Sequence, residues 1–312
     1  MGPTPDHHHS DRRALAVLIF GACMIGFGPV LVRVARAEHV GPAGSAFWRV
    51  ALAVPILAAM AWRGRAADGA AASFKPTWIA AIAGFLFAGD LVCWHYGIRF
   101  TAIAKATVLS NMTPIIVTVA TWIMLRQAPR PVFLTGMLLG IGGSTVMALA
   151  KGGAGVSPHL GDLFSIGAAV WYSAYILVVR KARETQSATI LMFWSSVVGA
   201  PMLLACALAL GDPIWPTSAL GWSVLAGLGV MHVAGQGSIA WALGRLPAPL
   251  AAVVVLVQPV VAALAAWAAF GERLTPMQAL GGAIALGGVA IAQTAGRRPA
   301  PAVNPSNAAE MA

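Results

Sequence analysis

The chain has little charge. Of its 312 residues 10% are Asp, Glu, Lys or Arg and 59% are hydrophobic, whereas a soluble domain carries about 25% charged residues. A water-soluble globule is thereby excluded. Acidic residues are scarcest, 10 against 20 Lys and Arg. The resulting net charge of +10 would suggest nucleic acid in a soluble protein, but these cations gather at the ends of apolar runs, and no nucleic-acid partner is expected. Cysteine is also rare. Cys23, Cys93 and Cys206 all lie inside apolar runs, where a thiol behaves as a small hydrophobe. There is no disulfide framework and no metal-ligand spacing, so neither metal nor cofactor is expected. His-Glu-x-x-His, Gly-x-Ser-x-Gly, a paired Asp-rich metal motif and the Gly-x-x-x-x-Gly-Lys-Ser/Thr phosphate loop are all missing. An intramembrane enzyme would have to rely on Asp90, His95 and His232, and ATP drive within the chain has no carrier.

What the chain does have is long hydrophobic runs. About 20 apolar residues cross a bilayer core of about 30 Å, and ten such stretches are expected, at roughly 14–32, 44–62, 77–97, 104–125, 131–150, 161–180, 190–210, 218–242, 249–270 and 277–295. Residues 1–11 and 297–312 read as polar, disordered tails, and His7, His8 and His9 as part of the first tail rather than a metal site. The stretch after Arg12 and Arg13 is too long for a signal peptide and leads into further spans, so it is taken as a retained first helix. Pro131 and Pro276 suit the first helical turn, and Thr275 with Gln278 reads as a capping box. Lys and Arg of short loops stay in the cytoplasm. Placing both termini inside puts Arg12, Arg13, Arg63, Arg65, Lys75, Arg126, Arg130, Arg180, Lys181, Arg183, Arg245, Arg297 and Arg298 inside as well. Arg33, Arg36, Arg99, Lys105, Lys151 and Arg273 then fall outside.

An offset of 145 residues superposes Pro114 on Pro259, Trp122 on Trp267, Gln127 on Glu272 and Gly136 on Gly281; with one further residue Gly21 meets Gly167. Low-complexity apolar helices align easily, but aligned Pro and Trp are harder to obtain by composition. A duplication is expected, with halves at 12–151 and 160–296. Five helices per half force the second copy to enter the bilayer in the opposite sense. Such inverted repeats typify secondary transporters with a midplane site between the halves.

At the end of the second half stands VQPVVAALAAWAAFGERLTPMQALGGAIALGGVAIA, and the first half answers with NMTPIIVTVATWIML. A Pro within the penultimate helix, a Gly-Glu-Arg turn and a Gly-rich last helix resemble the drug/metabolite transporter superfamily, in its ten-helix branch with two EamA-type domains. The first half departs at the turn, where Arg126 and Gln127 stand. The resemblance implies an all-α integral membrane fold of ten helices in two inverted five-helix repeats around a central cavity. It implies a multi-pass protein of a bacterial inner (plasma) membrane that exports small metabolites. A monomer in the lipid bilayer is expected. The nearest likeness is to bacterial exporters of amino acids, aromatic ones included. A nucleotide-sugar or other metabolite transporter of the same superfamily is the alternative.

Ionisable and polar groups inside spans are functional candidates, because hydrocarbon penalises them. Asp90 and Trp94 share a face of the third span, and His95 follows. Thr107, Ser110, Asn111 and Pro114 form one stripe on the fourth span. Pro114 frees the carbonyl of Ser110 and Pro259, beside Gln258, that of Val255. Trp171 and Tyr175 share a face of the sixth span, as do His232 and Gln236 of the eighth. All are expected to line the cavity, the alternative being helix-to-helix hydrogen bonding. Gly28, Pro29, Pro114 and Pro259 are candidate hinges or gates, with Gly26, Gly235 and Gly237 beside them. Arg49 is expected to snorkel at the end of the second span, Asp162 to cap the sixth, and Gly136, Gly140, Gly281, Gly282, Gly287 and Gly288 to serve helix packing.

Overall fold

The computed structural model describes residues 7–67, 74–101, 103–150, 158–271 and 274–295. The tails before His7 and after Ala295, Lys151, the Glu272–Arg273 turn and the side chain of Lys105 lie outside the described residues. Among the described residues, ten helices are long and apolar enough to span a membrane: Arg12–Ala37, Pro42–Arg63, Trp78–Phe100, Ala106–Leu125, Pro131–Leu149, His159–Ala182, Ala188–Ala209, Ala219–Leu243, Ala248–Phe270 and Pro276–Ala295. The shortest has 19 residues, which at about 1.5 Å per residue still reaches across about 28 Å. The first helix begins at His7, inside the segment expected to be a tail. No Gly or Pro interrupts His7–Arg13, so the helix propagates backward from its apolar body.

The duplication is visible in the backbone. Shifting Thr113–Leu125 by 145 gives the bounds of Gln258–Phe270, and shifting Pro131 gives Pro276. The two matched helices end alike, on Arg126 (φ 54°) and Gly271 (φ 67°), both left-handed. Pro131 and Pro276 open the fifth and tenth spans. The capping box is closed both ways: Thr275 N–H donates to Gln278 Oε1 (3.0 Å) and Gln278 N–H to Thr275 Oγ1 (3.1 Å).

The halves meet most intimately where the fifth span crosses the tenth. A Cβ on Gly136 would stand 2.4 Å from the Ala292 nitrogen, and one on Gly281 would stand 2.7 Å from the Gly143 oxygen. Gly143 and Gly288 complete the contact at 2.5 Å from the Gly281 oxygen and 2.6 Å from the Gly136 oxygen. The offset carries each contact into the other, as a two-fold interface requires. In lipid, where apolar burial gives helices little reason to associate, close backbone packing supplies the attraction. Gly287 has nothing within 4 Å, so it takes no part in this packing.

Several spans are broken midway. The first breaks at Phe27, the second at Leu52, and the fourth at Asn111–Met112. The eighth contains a π-helical turn at His232–Gln236, and the ninth a 3₁₀ turn at Val255–Val257. Irregular backbone at membrane depth is tolerated where it is buried in protein or faces a cavity. The breaks of the first, fourth, eighth and ninth spans border one cavity.

Candidate functional site

The cavity has a volume of about 340 Å³, near the small end of ligand pockets. Its wall runs from the breaks toward the face opposite the termini. Asp90, Trp94 and Ile98 descend one helix, Pro29 and Arg33 another, with Arg36, Arg99 and Phe270 at the mouth. Toward the termini the bundle is closed by apolar packing of Leu18, Leu57, Ile239, Leu243, Leu246 and Leu250. Polar ties reinforce that end: Arg183 Nε donates to the Ala240 carbonyl (3.1 Å) and Gln186 Nε2 to Thr77 Oγ1 (2.8 Å).

The two halves give this cavity unlike walls. Thr107, Ser110, Asn111 and Pro114 line it from the fourth span, and Ala252, Val255, Leu256 and Pro259 line it from the ninth. Each residue of the second set is 145 positions beyond its counterpart. One wall is therefore polar and its symmetry mate largely apolar, with Gln258, the counterpart of Thr113, as its polar exception. The polar side has unmet hydrogen-bonding capacity: Arg49 Nε, His95 Nε2, Ser110 Oγ and Asn111 Nδ2 are buried without a partner, and all four residues line the cavity. An unpaired buried polar group costs about 1–3 kcal/mol, so four around one space need an explanation.

Most sequence candidates meet here: Asp90, Trp94, His95, Thr107, Ser110, Asn111, Gln236, Gln258, Gly28, Pro29, Pro114 and Pro259 line the cavity. Three do not. Trp171 lies against the backbone of Gly89, whose missing side chain makes room for the ring, with Phe85 at 5.2 Å beyond it. Tyr175 is 1% exposed and points its hydroxyl to Met192 Sδ (3.5 Å). The sixth span is thus rotated by one residue from the expected face, and Tyr172 lines the cavity instead. His232 is buried, with Nε2 3.3 Å from Ser196 Oγ and its ring 5.1 Å from Phe87.

Other expectations are corrected by local hydrogen bonds. The Ser110 carbonyl is not left free, because the Thr113 hydroxyl donates to it (3.0 Å). The Val255 carbonyl accepts from the Gln258 N–H through the 3₁₀ turn. Prolines in spans are re-satisfied in these ways. Asp162 lies past the first residues of a helix that starts at Pro158, and it accepts from the Thr101 hydroxyl (3.3 Å). Arg49 does not snorkel: it is 5% exposed and lines the cavity. Sequence reasoning also missed Asp212, whose Oδ2 accepts from Ala43 N–H (2.7 Å) and Tyr96 O–H (2.8 Å), while Arg99 Nη1 stands 3.4 Å from its Oδ1. That carboxylate fastens the loop after the seventh span to the second and third spans.

An EamA-like transporter family model matches residues 12–149 and again 159–294. The chain belongs to the EamA-like transporter family. Both matched segments coincide with the five-helix halves of this EamA chain, a multi-pass membrane protein of the drug/metabolite transporter superfamily. A solved structure titled only "Crystal structure of protein" is similar over 92% of this chain and 99% of its own, with a TM-score of 0.74 and 18% identity, a likeness in fold. No curated protein matches this chain.

Proposed function

We propose that this EamA-family chain is a secondary transporter that exports small amphipathic metabolites, foremost amino acids with apolar or aromatic side chains. The observation that carries this reading is the unlike lining of the cavity, with four unpaired buried polar atoms on the second, third and fourth spans and Ala252, Val255 and Leu256 on the ninth. An amphipathic solute satisfies both sides at once. Trp94 and Tyr172 add aromatic surface with polar tips. The small volume favours a metabolite of amino-acid size over a nucleotide sugar.

The inverted halves, the mid-span breaks and a cavity closed at one face only support alternating access. The Lys and Arg distribution supports cytoplasmic termini in a bacterial inner membrane, so that this cavity faces outward. A monomer contains the whole pathway.

A second reading, transport of an anionic nucleotide sugar, draws on Arg49 inside the cavity and Arg33, Arg36 and Arg99 around it. Asp90 opposes it. Counterflow in proteoliposomes against a panel of amino acids, with a nucleotide sugar included, separates the two. Exchange of apolar and aromatic amino acids is expected. Exchange of the nucleotide sugar alone reverses the assignment, and exchange of no amino acid overturns the leading one.

A further inference from the structure

Arg49 lies in the last turn of Pro42–Ala51, ahead of the break in the second span, and is 5% exposed. A guanidinium carries five N–H donors, and at this depth an ordinary structural arginine pairs with a carboxylate or with backbone carbonyls. Arg49 does neither: its Nε is buried and unpartnered, and its guanidinium carbon stands 5.6 Å from the Phe87 ring centroid. A ring face attracts a cation but leaves those in-plane donors unmet.

The complementary charge is Asp90, three residues beyond Phe87 on the third span and lining the same cavity. Arg49 and Asp90 act on each other electrostatically. Yet none of the ion pairs seen among the described residues joins them. A purely structural pair is stabilised by direct hydrogen-bonded contact, which offsets the desolvation of both ions. Here the two charges border a shared space instead of closing on one another. A net anion or a net cation would leave one of the two uncompensated, whereas a solute carrying both a carboxylate and an ammonium completes both.

We infer that Arg49 and Asp90 are the specificity-determining residues for a zwitterionic substrate: Arg49 takes the carboxylate and Asp90 the ammonium. Trp94 and Tyr172 flank the side chain. This rests on the transport reading above and names its recognition chemistry.

The test uses the full chain and three compounds: phenylalanine, phenethylamine, which lacks the carboxylate, and 3-phenylpropionate, which lacks the ammonium. Equilibrium binding is read from intrinsic tryptophan fluorescence, and transport from competition with labelled phenylalanine counterflow in proteoliposomes. For the unaltered protein each analogue is expected to bind about tenfold or more weaker than phenylalanine, since one charge-assisted contact is lost. Arg49→Gln should erase the preference for phenylalanine over phenethylamine while keeping the preference over 3-phenylpropionate. Asp90→Asn should do the reverse. Arg49→Lys, which keeps the buried charge, serves if Arg49→Gln fails to fold; it should retain the preference over phenethylamine in weakened form.

Equal binding of all three compounds by the unaltered protein overturns the inference, as does an unchanged set of ratios in the folded variants. Phenylalanine that binds with the expected ratios but is not exchanged supports the clamp and overturns the transport reading. Exchange that proceeds without discrimination overturns the clamp alone.

Discussion

The two halves of this EamA protein share a backbone and differ in chemistry. At 145-residue spacing, Thr107, Ser110 and Asn111 answer to Ala252, Val255 and Leu256 in the lining of one cavity. Arg49 and Asp90, the carriers of charge at its depth, both belong to the first half, and their counterparts at the same offset are Trp194 and Gly235. The difference teaches that the duplicated helices retained what the fold needs, namely Pro-linked breaks, left-handed helix ends and small residues at the crossing. The walls were left to diverge. A pseudo-symmetric scaffold thereby obtains an asymmetric site, polar on one side and apolar on the other.

The largest effect should come from breaking what the halves share. Gly143→Val puts side-chain atoms where a Cβ already meets the Ala285 nitrogen at 2.3 Å, and backbone cannot give way. It should abolish recovery of monodisperse protein from detergent, while Gly287→Val, with nothing within 4 Å, should leave that recovery unchanged.

Next in size is erasing the difference between the walls. Asn111→Leu makes the polar wall resemble its mate at Leu256 and should lower transport efficiency about tenfold, the value of one or two lost hydrogen bonds. Leu256→Asn, which adds polarity to the apolar wall, should instead weaken export of substrates with apolar side chains relative to polar ones. Counterflow with a polar and an apolar substrate side by side measures both.

A smaller effect is expected at the break in the first span. A Cβ at Gly28 would meet Met231 at 3.5 Å, an ordinary contact, so Gly28→Ala fits the observed state. If Phe27–Gly28 is a hinge, this substitution should lower the transport rate severalfold with substrate binding unchanged; an unaltered rate removes the hinge from the mechanism.

The smallest effect belongs to the matched helix ends. Gly271→Ala should destabilise by about 1 kcal/mol, because a side chain disfavours the left-handed backbone. Arg126→Gly should stabilise by less than about 1 kcal/mol, relief of strain being offset by added freedom of the unfolded chain. Thermal unfolding of the two variants in one detergent checks the opposite signs.

The architecture was largely legible in the sequence because it follows from run length, and the offset of Pro114 from Pro259 already held the pseudo-symmetry. The capping box at Thr275 was readable for the same reason: it depends only on residues three apart. The site was less so. Arg49 sits seven residues from Pro42 in an apolar run, and nothing local distinguishes a cation that leans to the membrane surface from one turned inward by its neighbours. Trp171, Tyr172 and Tyr175 lie within about one helical turn, and Gly89 on a distant span decides which ring fits against the backbone. The apolar wall was within reach, since applying the 145-residue offset to the polar stripe names Ala252, Val255 and Leu256.

The most direct test of the central claim, that the halves rock about this cavity, is a pair of distance measurements by pulsed electron paramagnetic resonance in liposomes. Native cysteines are replaced by serine, and spin labels are placed on the exposed Arg36 and Met277 at the open face or on the exposed Arg63 and Arg245 at the termini face. With saturating transported substrate, part of the population is expected to show a shorter Arg36–Met277 distance together with a longer Arg63–Arg245 distance. Both distances remaining fixed while the same preparation transports would contradict the account.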